Sequence, residues 1–233
     1  EFKDAKLGVL TGSEYDRLTK ELFPDSEKFQ LADVANLILS LDADKIDGFL
    51  LDSAYYSAIG WEREGYKSIQ SDNNTTVSYA FMLSESGMAK KVKGELDEFI
   101  TDMKSNGGIE TLAEKWLSGR KPTEFEDYST LSGENGILTV AVSNSDMPLS
   151  FVSEDIARGF DVEIMIAFAK EYGYKLNFAP VDFEAKLGGI ASNKYDIAIG
   201  GITVTDERRE EMNFTVSYYE SPVVMVTKGQ DNA

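Results

Sequence analysis

Residues 195–219 read YDIAIGGITVTDERREEMNFTVSYY. Ile197-Ala198-Ile199 is a short apolar run of the kind a sheet buries on both faces. Gly200-Gly201 lets the backbone leave that strand without a Cβ clash. Thr205 is a good N-cap, so a helix is expected to start behind it. Arg208, three residues after the cap, can return its side chain toward the strand end. The Gly201 amide, the Thr203 hydroxyl and the Arg208 guanidinium would then converge outside a strand's carboxyl end. There, an arginine grips a small carboxylate with two parallel hydrogen bonds, and the helix start adds partial positive charge. Taken alone, Arg208-Arg209-Glu210-Glu211 also fits the solvated face of an acidic helix.

The rest of the composition narrows the choice. With 233 residues the chain can bury a large core as one domain or two lobes. It carries 23 basic and 41 acidic residues, a net charge of −18, which argues against nucleic acid or an anionic membrane as a partner. The absence of cysteine and histidine removes thiol catalysis, disulfides, imidazole acid–base work and the commonest transition-metal ligands. No cofactor and no metal is expected. No apolar run approaches the roughly 18 residues of a membrane helix, and no signal peptide is seen at the start, so the chain reads as an excised or processed soluble module.

Along the chain, KLGVL (6–10) reads as a strand, Thr11-Gly12-Ser13 as a turn whose amides suit an anion, and 14–23 as a helix stopped by Pro24. Residues 32–41 have helical spacing, and 46–51 form a strand ending at Asp52. The polar stretch 60–76, with Gly65 and Asp72-Asn73-Asn74, reads as strand fragments and loops. Next come a strand over 77–83 and helices over 88–103 and 109–116. The Pro-, Gly-, Ser- and acid-rich segment 120–135 has no periodicity and reads as a linker, after which 137–142 opens a new strand.

The run GGITVTDERREEMNFTVSYY resembles the signature of the extracytoplasmic solute-binding proteins for amino acids, the family that includes the glutamine-, histidine- and arginine-binding proteins. The likeness extends through residues 139–151, KEYGY (170–174), VDFEAKLGGI (181–190) and residues 6–118. It implies an α/β fold of two lobes, a type II periplasmic-binding (Venus-flytrap) architecture, with ligand-facing loops at strand ends. The family's chain ordinarily ends near Lys115-Trp116-Leu117-Ser118-Gly119 and begins with the segment that here opens at residue 137, so the order is circularly permuted. Residues 1–83 would make the small lobe with a hinge strand, 84–119 the terminal helices of the large lobe, 120–136 a linker, and 137–233 the large lobe with a second hinge strand. Two explanations stand: one permuted unit closed on itself, or halves of neighbouring modules in a tandem array. The closed unit is preferred, because helices 88–116 need the large lobe's sheet to bury their apolar faces. It predicts neighbouring termini at the hinge.

On the resemblance, Gly201, Thr203 and Arg208 take a ligand α-carboxylate and Asp52 its α-ammonium. Ser13 adds hydrogen bonds, and Phe183 stacks on the ligand side chain. By spacing alone Asp52 reads equally as a helix cap, and Phe183 as core. Asp146 departs from the aromatic usual before the Pro of the family's first loop. Pointing inward it would favour a cationic side chain; pointing outward it leaves a wider pocket. The implied function is extracytoplasmic binding of a free amino acid, with closure of the lobes, for an ABC transporter permease, by a monomer and not an enzyme. A receptor's sensing module, a spacer that binds nothing, and a flytrap enzyme using Asp146, Asp182 or Glu14 are the alternatives.

Overall fold

The computed structural model describes residues 2–59, 65–70, 75–85 and 87–229. In chain order they form β1 (Lys6–Leu10), α1 (Glu14–Leu22), β2 (Glu27–Leu31), α2 (Val34–Asp42), β3 (Gly48–Asp52), α3 (Ser53–Ile59), β4 (Tyr66–Gln70) and β5 (Thr76–Tyr79). After these come β6 (Met82–Leu83), α4 (Gly87–Ser105), α5 (Gly108–Leu117), β7 (Ile137–Val142), β8 (Ser145–Asp146), β9 (Ser150–Ser153), β10 (Ile156–Arg158) and α6 (Phe160–Tyr172). The remainder is β11 (Lys175–Pro180), α7 (Phe183–Ala191), β12 (Ile197–Ala198), α8 (Asp206–Glu211), β13 (Asn213–Phe214) and β14 (Tyr219–Lys228). Among the described residues no helix is long and apolar enough to cross a membrane. Asp72-Asn73-Asn74 and the terminal residues, whose proximity the closed unit predicts, lie outside the described residues.

The chain divides into two compact units, one of residues 1–77 with 221–233 and one of residues 78–220. The first holds a sheet in the order β2-β1-β3-β14-β4, with β5 also paired to β14. β1 runs parallel to β2 and β3, whereas β14 runs antiparallel to β3 and β4. Every residue of β3 is buried, as a central strand covered on both faces requires. Gly8 is fixed by packing, since a Cβ there would come within 2.6 Å of both Ile46 and Leu37 side-chain atoms.

The second unit carries a sheet in the order β11-β7-β12-β6-β13 and a small antiparallel sheet β10-β9-β8. β7 is parallel to both β11 and β12, so the carboxyl ends of β7 and β12 lie side by side, with Ala198 opposite Ala141. β6, which precedes β7 in the chain, fits between the much later strands β12 and β13. The strand expected over 77–83 is two strands. Between them Ala80 donates to the Ile202 carbonyl and Phe81 to the Thr215 hydroxyl, so the backbone leaves one ladder before joining the next.

α4 and α5 pack on α6, and Phe99 meets Phe168 edge-on at 5.5 Å. Segment 120–135 lacks regular structure, as its composition implies, yet it is docked on the second unit. The Phe125 ring lies 5.8 Å from Trp116 and 4.2 Å beneath the Arg158 guanidinium, and Tyr128 packs edge-on against Phe178 at 5.0 Å. These two aromatic residues anchor it together with the Glu126–Lys170 ion pair and the bond from the Ala157 amide to the Tyr128 hydroxyl.

One buried acid ties the second unit's helix layer to its sheet. Asp161, in the first turn of α6, is fully buried. Its Oδ2 accepts from the amides of Gly200 (2.8 Å) and Gly201 (3.0 Å) and from the Tyr218 hydroxyl (2.7 Å). Its Oδ1 has no hydrogen-bond partner among the described residues. Burial outweighs the three donors and raises the carboxyl from its ordinary 3.8 to about 6. The folded state therefore binds this proton more tightly than the unfolded chain. The stability this group contributes is complete below about pH 4 and lost as pH rises through 6. Asp161→Asn, whose carbonyl can accept the same three bonds, should gain stability relative to the wild type as pH is raised from 4 to 7 in denaturant titrations. A pH-independent difference between the two proteins would contradict this.

Candidate functional site

The carboxyl ends of β7 and β12 carry the chemistry. Beyond β12 the chain takes two left-handed glycines, Gly200 (φ 114°) and Gly201 (φ 59°). A Cβ on Gly200 would come within 2.7 Å of the Lys186 Nζ and 3.0 Å of the Ser143 Oγ, so only glycine fits here. Asp161 holds the turn from behind. Both glycine amides, including the Gly201 amide that the sequence assigned to a ligand, donate to this internal carboxylate.

The turn leads to Thr203, which is buried and forms an isolated bridge with Tyr79. Thr205 caps α8, its hydroxyl accepting from the Arg208 amide at 3.2 Å. The Arg208 side chain returns toward the strand end as its spacing predicts. Its Nη1 donates to the Thr203 carbonyl at 2.8 Å, and the guanidinium lies over the Phe183 ring, 5.5 Å from its centre. Phe183 opens α7, which is capped by Asp182 through the Ala185 amide at 2.7 Å. The structure thus brings Thr203, Arg208 and Phe183 together, while the Gly201 amide turns to Asp161.

Asp146 belongs to the same region. Its Oδ2 accepts from the Ser143 hydroxyl, and that hydroxyl oxygen accepts in turn from the Lys186 ammonium. Lys186 lies 3.8 Å from Asp146 and also donates to the Ile199 carbonyl at 2.8 Å. The Lys186 side chain is wholly buried and that of Asp146 is 35% exposed. Burial lowers the lysine's affinity for its proton, while the charges of Asp146, Asp161 and Asp182 work to retain it.

In the first unit, Asp52 is fully buried and caps α3. Its Oδ1 accepts from the amides of Ala54 (2.9 Å) and Tyr55 (3.1 Å) and from the Ser221 hydroxyl (2.9 Å), and its Oδ2 from the Tyr15 hydroxyl. The two amide bonds are those of a helix cap, and the two hydroxyl bonds tie Asp52 to distant segments. Ser13 caps α1 and donates its hydroxyl to the Leu10 carbonyl at 2.7 Å.

Sequence reasoning missed Asp161 and Lys186. For Asp161 the signal was a pair of acids, Asp161 and Glu163, in the first turn of a mostly apolar helix, FDVEIMIAF. Lys186 is spaced one helical turn from both Phe183 and Ile190, which places it on the inward face of α7.

Residues 138–233 match the family described as bacterial extracellular solute-binding proteins, family 3. The probable amino-acid-binding protein YxeM of Bacillus subtilis is 32% identical over 104 residues, 45% of this chain and 39% of its own. Cyclohexadienyl dehydratase of Pseudomonas aeruginosa is 29% identical over 101 residues, 43% of this chain and 38% of its own. These matches span well under two thirds of either relative's length. A periplasmic substrate-binding protein of an ABC transporter from Coxiella burnetii shares the fold at a TM-score of 0.51 and 10% identity, over 97% of this chain and 85% of that one. The chain therefore shares the mixed α/β fold of that periplasmic substrate-binding protein, and its segment 138–233 is similar to the bacterial extracellular solute-binding proteins, family 3.

Proposed function

We propose that the protein binds a free amino acid outside the cytoplasm and presents it to an ABC transporter, with the α-carboxylate held in the second unit by Arg208 and Thr203. The observation that carries this reading is the posture of Arg208. A planar guanidinium, anchored by one nitrogen to the Thr203 carbonyl and laid over the Phe183 ring, is pre-aligned for a two-bond grip on a carboxylate. Pre-alignment lowers the ordering cost of binding. In this reading Gly201 acts through its turn, because its amide serves Asp161, and Phe183 offers a flat apolar wall to the ligand side chain.

The dehydratase among the relatives favours an enzyme as the second reading. Catalysis would require an acid or base poised in the site. The three candidate acids are each engaged otherwise: Asp146 with Ser143 and Lys186, Asp182 as the cap of α7, and Glu14 with Arg17 at 3.0 Å. Binding is thus the reading these side chains support better.

A ligand that binds only the folded state stabilises it by RT ln(1 + [L]/Kd), about 2.7 kcal/mol at a hundredfold excess over Kd. Thermal unfolding against the common L-amino acids should show a raised midpoint for one or a few of them, and no rise with any from a folded sample would contradict the proposal. Arg208→Ala should weaken binding of the active ligand by about 2 to 5 kcal/mol in calorimetry, since it strands a desolvated carboxylate. Unchanged affinity would place the carboxylate elsewhere.

A further inference from the structure

An exposed Asp146 taken alone points to a cationic ligand side chain. The structure sets a second, opposite charge beside it. The Lys186 ammonium lies 3.8 Å from the Asp146 carboxylate, with the Ser143 hydroxyl bridging the two: it accepts from the lysine and donates to the aspartate. A lysine with a wholly buried side chain remains in place only if its charge is matched and its donors are satisfied. Here the Ile199 carbonyl, the Ser143 oxygen and Asp146 do both.

The pair is also tied to the carboxylate grip. Lys186 is one turn along α7 from Phe183, which lies beneath Arg208, and its Ile199 partner directly precedes the Gly200-Gly201 turn. We propose that Lys186, bridged to Asp146 through Ser143, is a specificity-determining residue that sets this site for an L-amino acid with an uncharged, hydrogen-bond-donating side chain. The inference rests on the amino-acid-binding reading above and goes further by naming the side-chain class.

The physical reason is cancellation. Coulomb energy falls as 1/r, so a ligand cation about 4 Å from the carboxylate and about 7 Å from the ammonium loses roughly half of its attraction. It must still give up its hydration in full. An amide or hydroxyl has a far smaller desolvation cost and can donate to the exposed end of Asp146. An anionic side chain meets the carboxylate first, with the ammonium buried behind it.

The test compares L-glutamine, L-serine, L-arginine and L-glutamate by calorimetry on the intact chain and on two variants. The wild type should bind L-glutamine or L-serine at least about tenfold more tightly than L-arginine or L-glutamate. Lys186→Met, which leaves Asp146 unopposed, should move the arginine-to-glutamine affinity ratio at least about tenfold toward arginine. Asp146→Asn, which removes the nearest of the three carboxylates acting on the lysine and leaves Asp161 and Asp182, should move the glutamate-to-glutamine ratio the same way toward glutamate. A wild type that ranks L-arginine or L-glutamate first, or ratios that stay put in both variants, overturns the inference. If thermal unfolding shows that Lys186→Met does not fold, the partly exposed Asp146→Asn decides alone, and an unmoved glutamate ratio is then fatal. A wild type that binds none of the four overturns this inference, whereas the amino-acid reading itself falls only if none of the common L-amino acids raises the unfolding midpoint.

Discussion

Oδ2 of Asp161 takes three hydrogen bonds, two from the Gly200 and Gly201 amides and one from the Tyr218 hydroxyl, and the geometry of the second unit's site follows from that grip. A turn through two left-handed glycines is entropically costly to hold. Without a fixed acceptor its amides would compete for water or ligand, and the strand's exit would wander. With Asp161 in place, the chain is aimed from β12 through Thr203 to the cap at Thr205, and Arg208 is returned over Phe183. The cost is a fully buried carboxylate, one oxygen of which has no hydrogen-bond partner among the described residues. Its raised pKa measures that cost.

Lys186 is the second expensive group, and it sits on the other side of the same turn. Its ammonium would lie 2.7 Å from a Cβ at Gly200, whose left-handed φ of 114° already disfavours any side chain. Removing one partner of a buried ion pair typically costs about 3 to 5 kcal/mol. A site that keeps Lys186, Ser143 and Asp146 in one chain of contacts has therefore committed polar groups where apolar packing would be cheaper. Such commitments are more usual where recognition is at stake than where stability alone is served.

Much of this was legible in the sequence because it depends on local rules. The strand expected at Ile197-Ala198-Ile199 and found over Ile197–Ala198, the cap Thr205 and the helices expected over 88–103 and 109–116, found over 87–105 and 108–117, follow from apolar spacing, capping chemistry and glycine placement. The parts that were not legible are contacts between segments far apart in the chain. Asp161 meets the Gly200-Gly201 turn from a distant helix, and Lys186 meets Ser143 across 43 residues. Neither periodicity nor capping reports which distant backbone group a buried charge will find. Segment 120–135 shows the same limit: its lack of regular structure follows from composition, but its docking through Phe125 and Tyr128 depends on Trp116, Arg158 and Phe178 elsewhere. Asp52 stood equally for cap and ligand contact by spacing; its cap bonds to the Ala54 and Tyr55 amides are local, but its bonds from the Tyr15 and Ser221 hydroxyls are long-range and could not be read from spacing.

If the second unit grips an amino acid by its α-carboxylate, removing that one charge from the ligand must be felt at Arg208. Calorimetric titration of the tightest-binding L-amino acid beside its α-carboxamide isolates this contact, because the two ligands share a side chain and an α-amino group. The carboxamide should bind at least about a hundredfold more weakly, since Arg208 then faces a neutral group. Equal affinity for the two would mean that Arg208 does not hold the ligand's carboxylate, and the proposed site would fall.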